Sequence, residues 1–397
     1  MENEKASTKN PKRALGIVYF SVFLDLLGFG IILPFLPYYA KHLGASGFDI
    51  GMILTSYSLA QFLGAAVLGR FSDRIGRRPI LLLSLTGSTL AMIFSGLAGS
   101  ILTLALARAL AGLFGGSIST AQAYVADVTT PAERPKYMGL LGASIGTGFV
   151  VGPALGVGLN ALGLGFAGAA FTAAVLNFIN LILAVVRLPE TRDPNVVRER
   201  GRWTEAIRRP GIRPILLAMF GTTFAFVSME TTFAYLGEAL FGMNEHTFGL
   251  TLVWVGVVMI VVQGGLVGRL SKKMDVKYLA VGGGVLMGLA LAVVPFSGSL
   301  VGAMLALGAF AAGQGFVSPS LSTLISRQSG DDQGTLLGAG QSFSAAARAV
   351  GPVAAGSLYD LQSFLPFVAG GGLALLAGLI VLSLAPHKNS AEQGEAS

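Results

Sequence analysis

The 397-residue chain contains no cysteine. Disulfides, thiolate metal ligands and cysteine nucleophiles are therefore excluded from its chemistry. Histidine is nearly as scarce: His42, His246 and His387 lie far apart in polar stretches, so no metal centre is expected. Charged residues make up only 12% of the chain, about half of the roughly 25% that a soluble domain carries. That shortage excludes one large soluble enzyme. No nucleotide-binding loop and no serine–histidine–aspartate set is present either, so neither an enzyme nor a cofactor is expected. Disorder is excluded by the opposite property, a hydrophobic fraction of 53% and a mean hydropathy of +0.70.

What the chain does have is apolar length. Runs able to cross a roughly 30 Å hydrocarbon core, which takes about 20 residues, fall at 14–40, 50–69, 79–98, 100–126, 136–160, 164–187, 213–240, 247–268, 278–296, 299–326, 334–358 and 364–385. The expected fold class is thus all-α and integral to the membrane, with twelve transmembrane helices. The 55 glycines suit helices that approach one another closely in lipid. The first run holds Asp25 and flows into Pro34 and Pro37; it reads as a retained crossing rather than a cleavable leader.

Charge placement orients the spans. With an even number of crossings both termini share a side, and 24 of the 27 basic residues fall on that side. Lys41 alone falls on the other, while Arg108 and Arg348 lie inside spans. The positive-inside rule makes the basic side, and both termini, cytoplasmic. The net charge of +7 is therefore read as topological, and nucleic acid is not an expected partner.

Between the sixth and seventh spans lies the one long polar stretch, 188–212, rich in arginine and proline and read as a linker with a short amphipathic helix around Trp203–Arg209. On either side the chain repeats itself. Gly69-Arg70-Phe71-Ser72 returns as Gly268-Arg269-Leu270-Ser271, Gly152-Pro153 as Gly351-Pro352, and Gly139 as Gly338, all at a shift of 199 residues. One shift of half the chain argues for two pseudo-symmetric six-helix bundles, 14–187 and 213–385, flanked by tails 1–13 and 386–397. Parallel halves with a substrate site between them are a recurrent transporter plan.

The loop after the second span, Gly69-Arg-Phe-Ser-Asp73-Arg74-Ile-Gly76-Arg77-Arg78, resembles that of the major facilitator superfamily at every defining position. Further motifs resemble its twelve-span drug:proton antiporters. They are Leu27-Gly28 with Pro34-Phe-Leu-Pro37 in span one, Arg108-Ala-Leu-Ala-Gly112 in span four, and Gly148-Phe-Val-Val-Gly152-Pro153-Ala-Leu-Gly156 in span five. Ala123-Tyr-Val-Ala-Asp127-Val-Thr-Thr-Pro-Ala-Glu133-Arg134 resembles the tetracycline-efflux branch. Likeness is strong over 15–160 and weak in the second half. Spans three and nine lack the acidic residues of tetracycline pumps, which speaks against a metal–tetracycline substrate.

Each motif has a physical reading. Gly69 and Gly76 permit turns and contacts that a Cβ obstructs, and Asp73 among cations suits an ion pair at a helix end. The resemblance implies a latch, built from this loop with Arg74, Arg77 and Arg78, that holds the cytoplasmic side closed, with Asp127 at the end of span four as a further ionic partner. A solvated topological charge run explains Arg77 and Arg78 equally well, but not Asp73 between two placed glycines. The second-half loop has lost the aspartate and second glycine, so any latch should be asymmetric. Gly148, Gly152 and Gly156 share one helix face that another backbone can approach, and Pro153 removes a hydrogen bond. This motif is chiefly packing.

Buried charge points to mechanism, because an ionisable group at the bilayer centre costs at least about 2.5–3.5 kcal/mol. Asp25 lies eleven residues into span one, roughly 16 Å deep, and is the expected proton carrier. Desolvation favours its neutral form and a nearby cation its charged form, so movement of Arg108 or of substrate can release the proton. Glu230 and Arg348 fall at similar heights in spans seven and eleven; Glu230 is either half of a static pair or a second proton site. Tyr57, Gln61, Phe233, Trp254, Gln263 and Gln341 are candidates for substrate contact, helix packing being the competing reading for each. The expected protein is a monomeric exporter of amphipathic, drug-like or tetracycline-like compounds in the cytoplasmic membrane, driven by protons. A proton-coupled sugar or lipid transporter on the same scaffold is the alternative.

Overall fold

The computed structural model describes residues 11–115, 117–130, 133–190, 211–329 and 333–384. These residues form helices joined by short turns, with no strand among them. The first predicted crossing is two helices, α1 (Pro11–Ile32) and α2 (Leu36–His42). Pro34 has no amide hydrogen to continue α1, and Pro37 sits in the first turn of α2, where none is needed. The second crossing, α3 (Gly47–Ile75), starts at a capping box in which Ser46 and Asp49 satisfy each other's amides. α4 (Arg77–Gly96) follows after the single residue Gly76.

The fourth crossing is also divided, into α5 (Ile101–Phe114) and α6 (Ser117–Val128). The Gly115 amide bonds back to the Gly112 carbonyl, a tightened last turn that ends α5. Then come α7 (Arg134–Ala161), α8 (Gly165–Arg187), α9 (Ile212–Phe241) and α10 (Glu245–Val261). A π-helical turn, Val262–Leu266, carries α10 into the short α11 (Val267–Leu270). α12 (Val276–Val293), α13 (Leu300–Ser329), α14 (Gln333–Leu361) and α15 (Leu365–Leu382) complete the order. Ten helical segments among the described residues are long and apolar enough to cross a membrane. The two predicted crossings outside that set are the divided fourth and α14, whose glycine-, serine- and alanine-rich sequence carries Arg348. The proposed linker helix at Trp203–Arg209 and the C-terminal tail lie outside the described residues.

The residues pack as two compact units. Of the described residues, one unit gathers those up to Glu190 with Glu230–Val257 and Arg348–Ser363; the other holds the rest of α9, those from Val258 to Ala347, and Phe364–Leu384. In the first unit α1 packs on α7 and α8, α3 on α5, and α4 on α5 and α8. Its core has two layers: Ile31, Ile32, Phe35, Ile50, Ile53 and Phe166 in one, and Leu15, Val18, Leu81, Leu85 and Tyr124 in the other. In the second unit α12 packs on α13 and α15. Leu102, Leu162, Val186, Val301 and Leu305 are large, apolar and exposed, an arrangement that water penalises and lipid does not.

Candidate functional site

The glycine stripe of α7 positions the first crossing. A Cβ on Gly148 would lie 2.8 Å from Leu26 Cβ, on Gly152 2.7 Å from Gly30 Cα, and on Gly156 2.7 Å from the Ile31 carbonyl oxygen. All three therefore face α1 at backbone contact, and any larger residue would push the two helices apart. Gly30 returns the contact, with Gly152 Cα and Pro153 Cδ each 3.0 Å from the place of a Cβ. α7 continues through Pro153 without a break. The motif thus fixes the segment of α1 directly after Asp25.

Asp25 itself is half-buried and lines a cavity of ≈ 20 Å³, room for about one water. Phe29, Tyr57, Gln61, Ser88 and Met92 share its wall. Gln61 Nε2 donates to the Tyr57 hydroxyl at 3.2 Å, and the Tyr57 ring packs on Phe29 at 4.9 Å. Two predicted substrate-contact residues are thereby brought to the carboxylate. Arg108 is buried and turned towards α4: Nη2 donates to Ser95 Oγ and lies 3.6 Å from Met92 Sδ, while Nε has no hydrogen-bond partner. Met92 therefore touches the guanidinium and the cavity of Asp25 together.

Glu230 is half-buried in an otherwise apolar pocket walled by Leu33, Ile50, Ile53, Leu54, Phe248 and Leu252. Arg348 is exposed, and the two groups feel each other's charge. Among the described residues no hydrogen bond joins them. Phe233 is fully buried, with its ring 6.4 Å from that of Phe248. Trp254 is partly exposed on α10, Gln263 is exposed in the π-helical turn, and Gln341 is exposed on α14. Phe233 and Trp254 do not line the cavity of Asp25.

The basic loop between α3 and α4 is tightly organised. Arg77 Nη1 donates to Asp73 Oδ1 at 2.6 Å and to Ser72 Oγ at 3.0 Å, and its Nε donates to Asp127 Oδ2 at 2.9 Å. One buried guanidinium thus joins the end of α3 to the end of α6. Gly76 adopts φ +113 and ψ 164, a conformation open essentially to glycine alone. Arg78 Nη2 donates to the Val185 carbonyl at 2.8 Å. Gly69 has open space around it, and the Arg74 side chain is exposed.

Two parts of this region escaped the sequence reading. Glu190 accepts the amides of Arg77 at 2.9 Å and Arg78 at 3.0 Å, capping α4 from the start of the linker. A carboxylate there satisfies two orphan donors and the positive helix end, but nothing in its sequence neighbourhood signals so distant a partner. On α8, Asn180 exchanges hydrogen bonds with Ser21 of α1, and Asn177 is fully buried beside Gly28. Polar residues at helical spacing within an apolar run were the available signal.

A sequence profile of the Major Facilitator Superfamily matches residues 18–352. Multidrug resistance protein 2 of Bacillus subtilis (strain 168) is 26% identical over 388 residues, covering 94% of this chain and 96% of that protein. Tetracycline resistance protein, class B, of Escherichia coli is 32% identical over 385 residues, covering 91% and 92%. In fold, the chain is similar to the crystal structure of the human organic anion transporter MFSD10 (TETRAN), with a TM-score of 0.71, 24% identity, and coverage of 94% of this chain and 100% of that one.

Proposed function

The chain belongs to the major facilitator superfamily and is a multi-pass membrane transporter, not an enzyme; from that premise we propose that it exports amphipathic, drug-like molecules in exchange for protons by alternating access. The observation that carries this reading is the placement of Asp25. A carboxylate at membrane depth, on the wall of a water-sized cavity with Tyr57 and Gln61, is suited to take up and release a proton. Arg108 supplies the complementary charge across Met92. Movement of either helix changes their separation, and with it the balance between carboxylate and carboxylic acid. A proton crossing the membrane potential supplies about 2.3 kcal/mol per 100 mV, enough to drive accumulation.

Glu230, in its apolar pocket with Arg348 within electrostatic reach, is assigned as a second protonation site rather than half of a static pair. Asp73, Arg77 and Asp127 form the latch that closes the basic face while the other face is open. The full-length relatives named for multidrug and tetracycline resistance support an export direction and a drug-like substrate class. Their bacterial origin supports residence in the plasma membrane; the placement of the basic residues supports cytoplasmic termini and loops, and a monomer is the proposed working unit.

Proteoliposomes under an imposed pH gradient test the reading with dyes and drugs as cargo. Asp25→Asn is expected to abolish uphill movement while purified protein still binds the cargo. Uphill transport retained by Asp25→Asn would refute the assignment.

A further inference from the structure

At the end of the protein opposite the basic loop, α3 begins with more capping than one helix needs. Ser46 Oγ accepts the Asp49 amide at 3.2 Å, and Asp49 Oδ2 accepts the Ser46 amide at 2.9 Å. That box already starts the helix. A second carboxylate then arrives from 313 residues further along the chain: Asp360, in the last turn of α14, takes the Gly47 amide on Oδ1 and the Phe48 amide on Oδ2, each at 2.8 Å. Both oxygens point at the positive end of α3, so the contacts are charge-assisted and aligned with the helix dipole.

The backbones are shaped to allow it. A Cβ on Gly47 would lie 2.7 Å from the Gly356 carbonyl oxygen, and one on Gly51 2.7 Å from Val353 Cα. A Cβ on Gly356 would in turn strike the Gly47 carbonyl. The three glycines let α3 and α14 meet backbone to backbone for more than a turn, and Asp360 closes the end of that contact. Two other charged groups at this end are engaged elsewhere. Asp49 is itself acidic, and Lys41 is engaged by Glu238 at 2.8 Å.

In a transporter the two faces open in turn as one repeat moves against the other, so a contact that joins α3 of the first repeat to α14 of the second must part when this face opens. We propose that Asp360 is a positioning residue for transport, a latch that holds the face opposite the basic loops shut by capping α3 from α14 and lets go each time that face opens. The inference goes beyond proton-driven export and holds for any cargo. It also separates two carboxylates that look equivalent in sequence: Asp49 serves its own helix, whereas Asp360 serves the join between helices.

The absence of cysteine makes the test clean. Spin labels on Met52→Cys and Leu361→Cys, both exposed near the join, report its separation in lipid nanodiscs. Asp360→Asn, nearly isosteric but uncharged, is expected to raise the ratio of separated to packed molecules about tenfold, equivalent to 1.4 kcal/mol. Asp360→Glu is expected to recover most of the packed population, and Asp49→Asn to leave the ratio unchanged. Gly356→Ala, which wedges the backbones apart with Asp360 intact, is expected to separate the labels as well. An unchanged distribution in Asp360→Asn would overturn the proposal, the more clearly if Gly356→Ala does separate them. So would an equal shift in Asp49→Asn, because the effect would then belong to helix capping in general.

Discussion

The loops after α3 and after α11 share the run Gly-Arg-X-Ser and then diverge at the positions that carry charge. At the 199-residue shift, Lys272 stands where the first loop has Asp73, Asp275 where it has Gly76, and Val276 where it has Arg77. The consequences are physical. In the first loop Gly76 turns the chain within one residue, and Arg77, 5% exposed, sits between Asp73 and Asp127. In the second, Asp275 becomes the N-cap of α12 by accepting the Lys277 amide at 3.0 Å, and takes Arg327 Nη1 at 3.1 Å near the surface. Lys277 is buried, with Nζ on the Leu384 carbonyl. The duplicated sequence thus carries a buried cation held by two acids in one copy and an ordinary capped helix start in the other. The first loop sets its buried cation between two carboxylates, and the second sets its own on a backbone carbonyl.

Removing the central cation separates the two loops most sharply. Arg77→Ala leaves Asp127, 11% exposed, without its guanidinium and takes a donor from Asp73. Breaking a buried pair from one side costs about 3–5 kcal/mol. A large fall in thermal stability with loss of transport is the expected result, against about 0–1 kcal/mol for Arg327→Ala, whose side chain is 36% exposed. Equal losses for the two variants would erase the asymmetry. Gly76→Ala comes next. It forces a Cβ into φ +113 and against the Glu190 carboxylate that caps α4, for which about 1–3 kcal/mol is expected. Wild-type melting of Gly76→Ala would show that the turn relaxes without strain.

The architecture was legible because lipid is an exacting solvent. Each crossing must present a long apolar run, and the basic residues between runs collect on one side. The break between α1 and α2 was foreshadowed by Pro34 and Pro37. The break at Gly115 was not, since one more glycine among 55 carries little signal. Nor was the π-helical turn at Val262–Leu266, whose extra residue per turn leaves hydropathy unchanged. At the site, Asp25, Tyr57 and Gln61 could be nominated as polar residues in apolar spans, and they do share a cavity. The direction of Arg108 towards Ser95 was out of reach, because helix rotation decides it and the run that carries it, Ile101–Phe114, is apolar nearly all round. Glu190 and Asp360 were missed for a common reason. Each caps a helix that lies far away in sequence, and local pattern contains no trace of such a partner.

A smaller effect than at Arg77 or Gly76 is expected where the second loop is cut at its own carboxylate. Asp275→Ala removes an N-cap, which costs about 1 kcal/mol, together with an ion pair whose members are 22% and 36% exposed. Lys277 keeps its carbonyl partner on the far side of the helix start, so α12 should remain seated. The protein is therefore expected to melt slightly earlier and to transport at its normal rate with unchanged cargo preference. Asp73→Asn in the first loop, a milder chemical change, is expected to slow cycling more than Asp275→Ala does. If the order were reversed, the working charge would lie in the loop that lost the family pattern, and the buried Arg77 centre would be scaffolding.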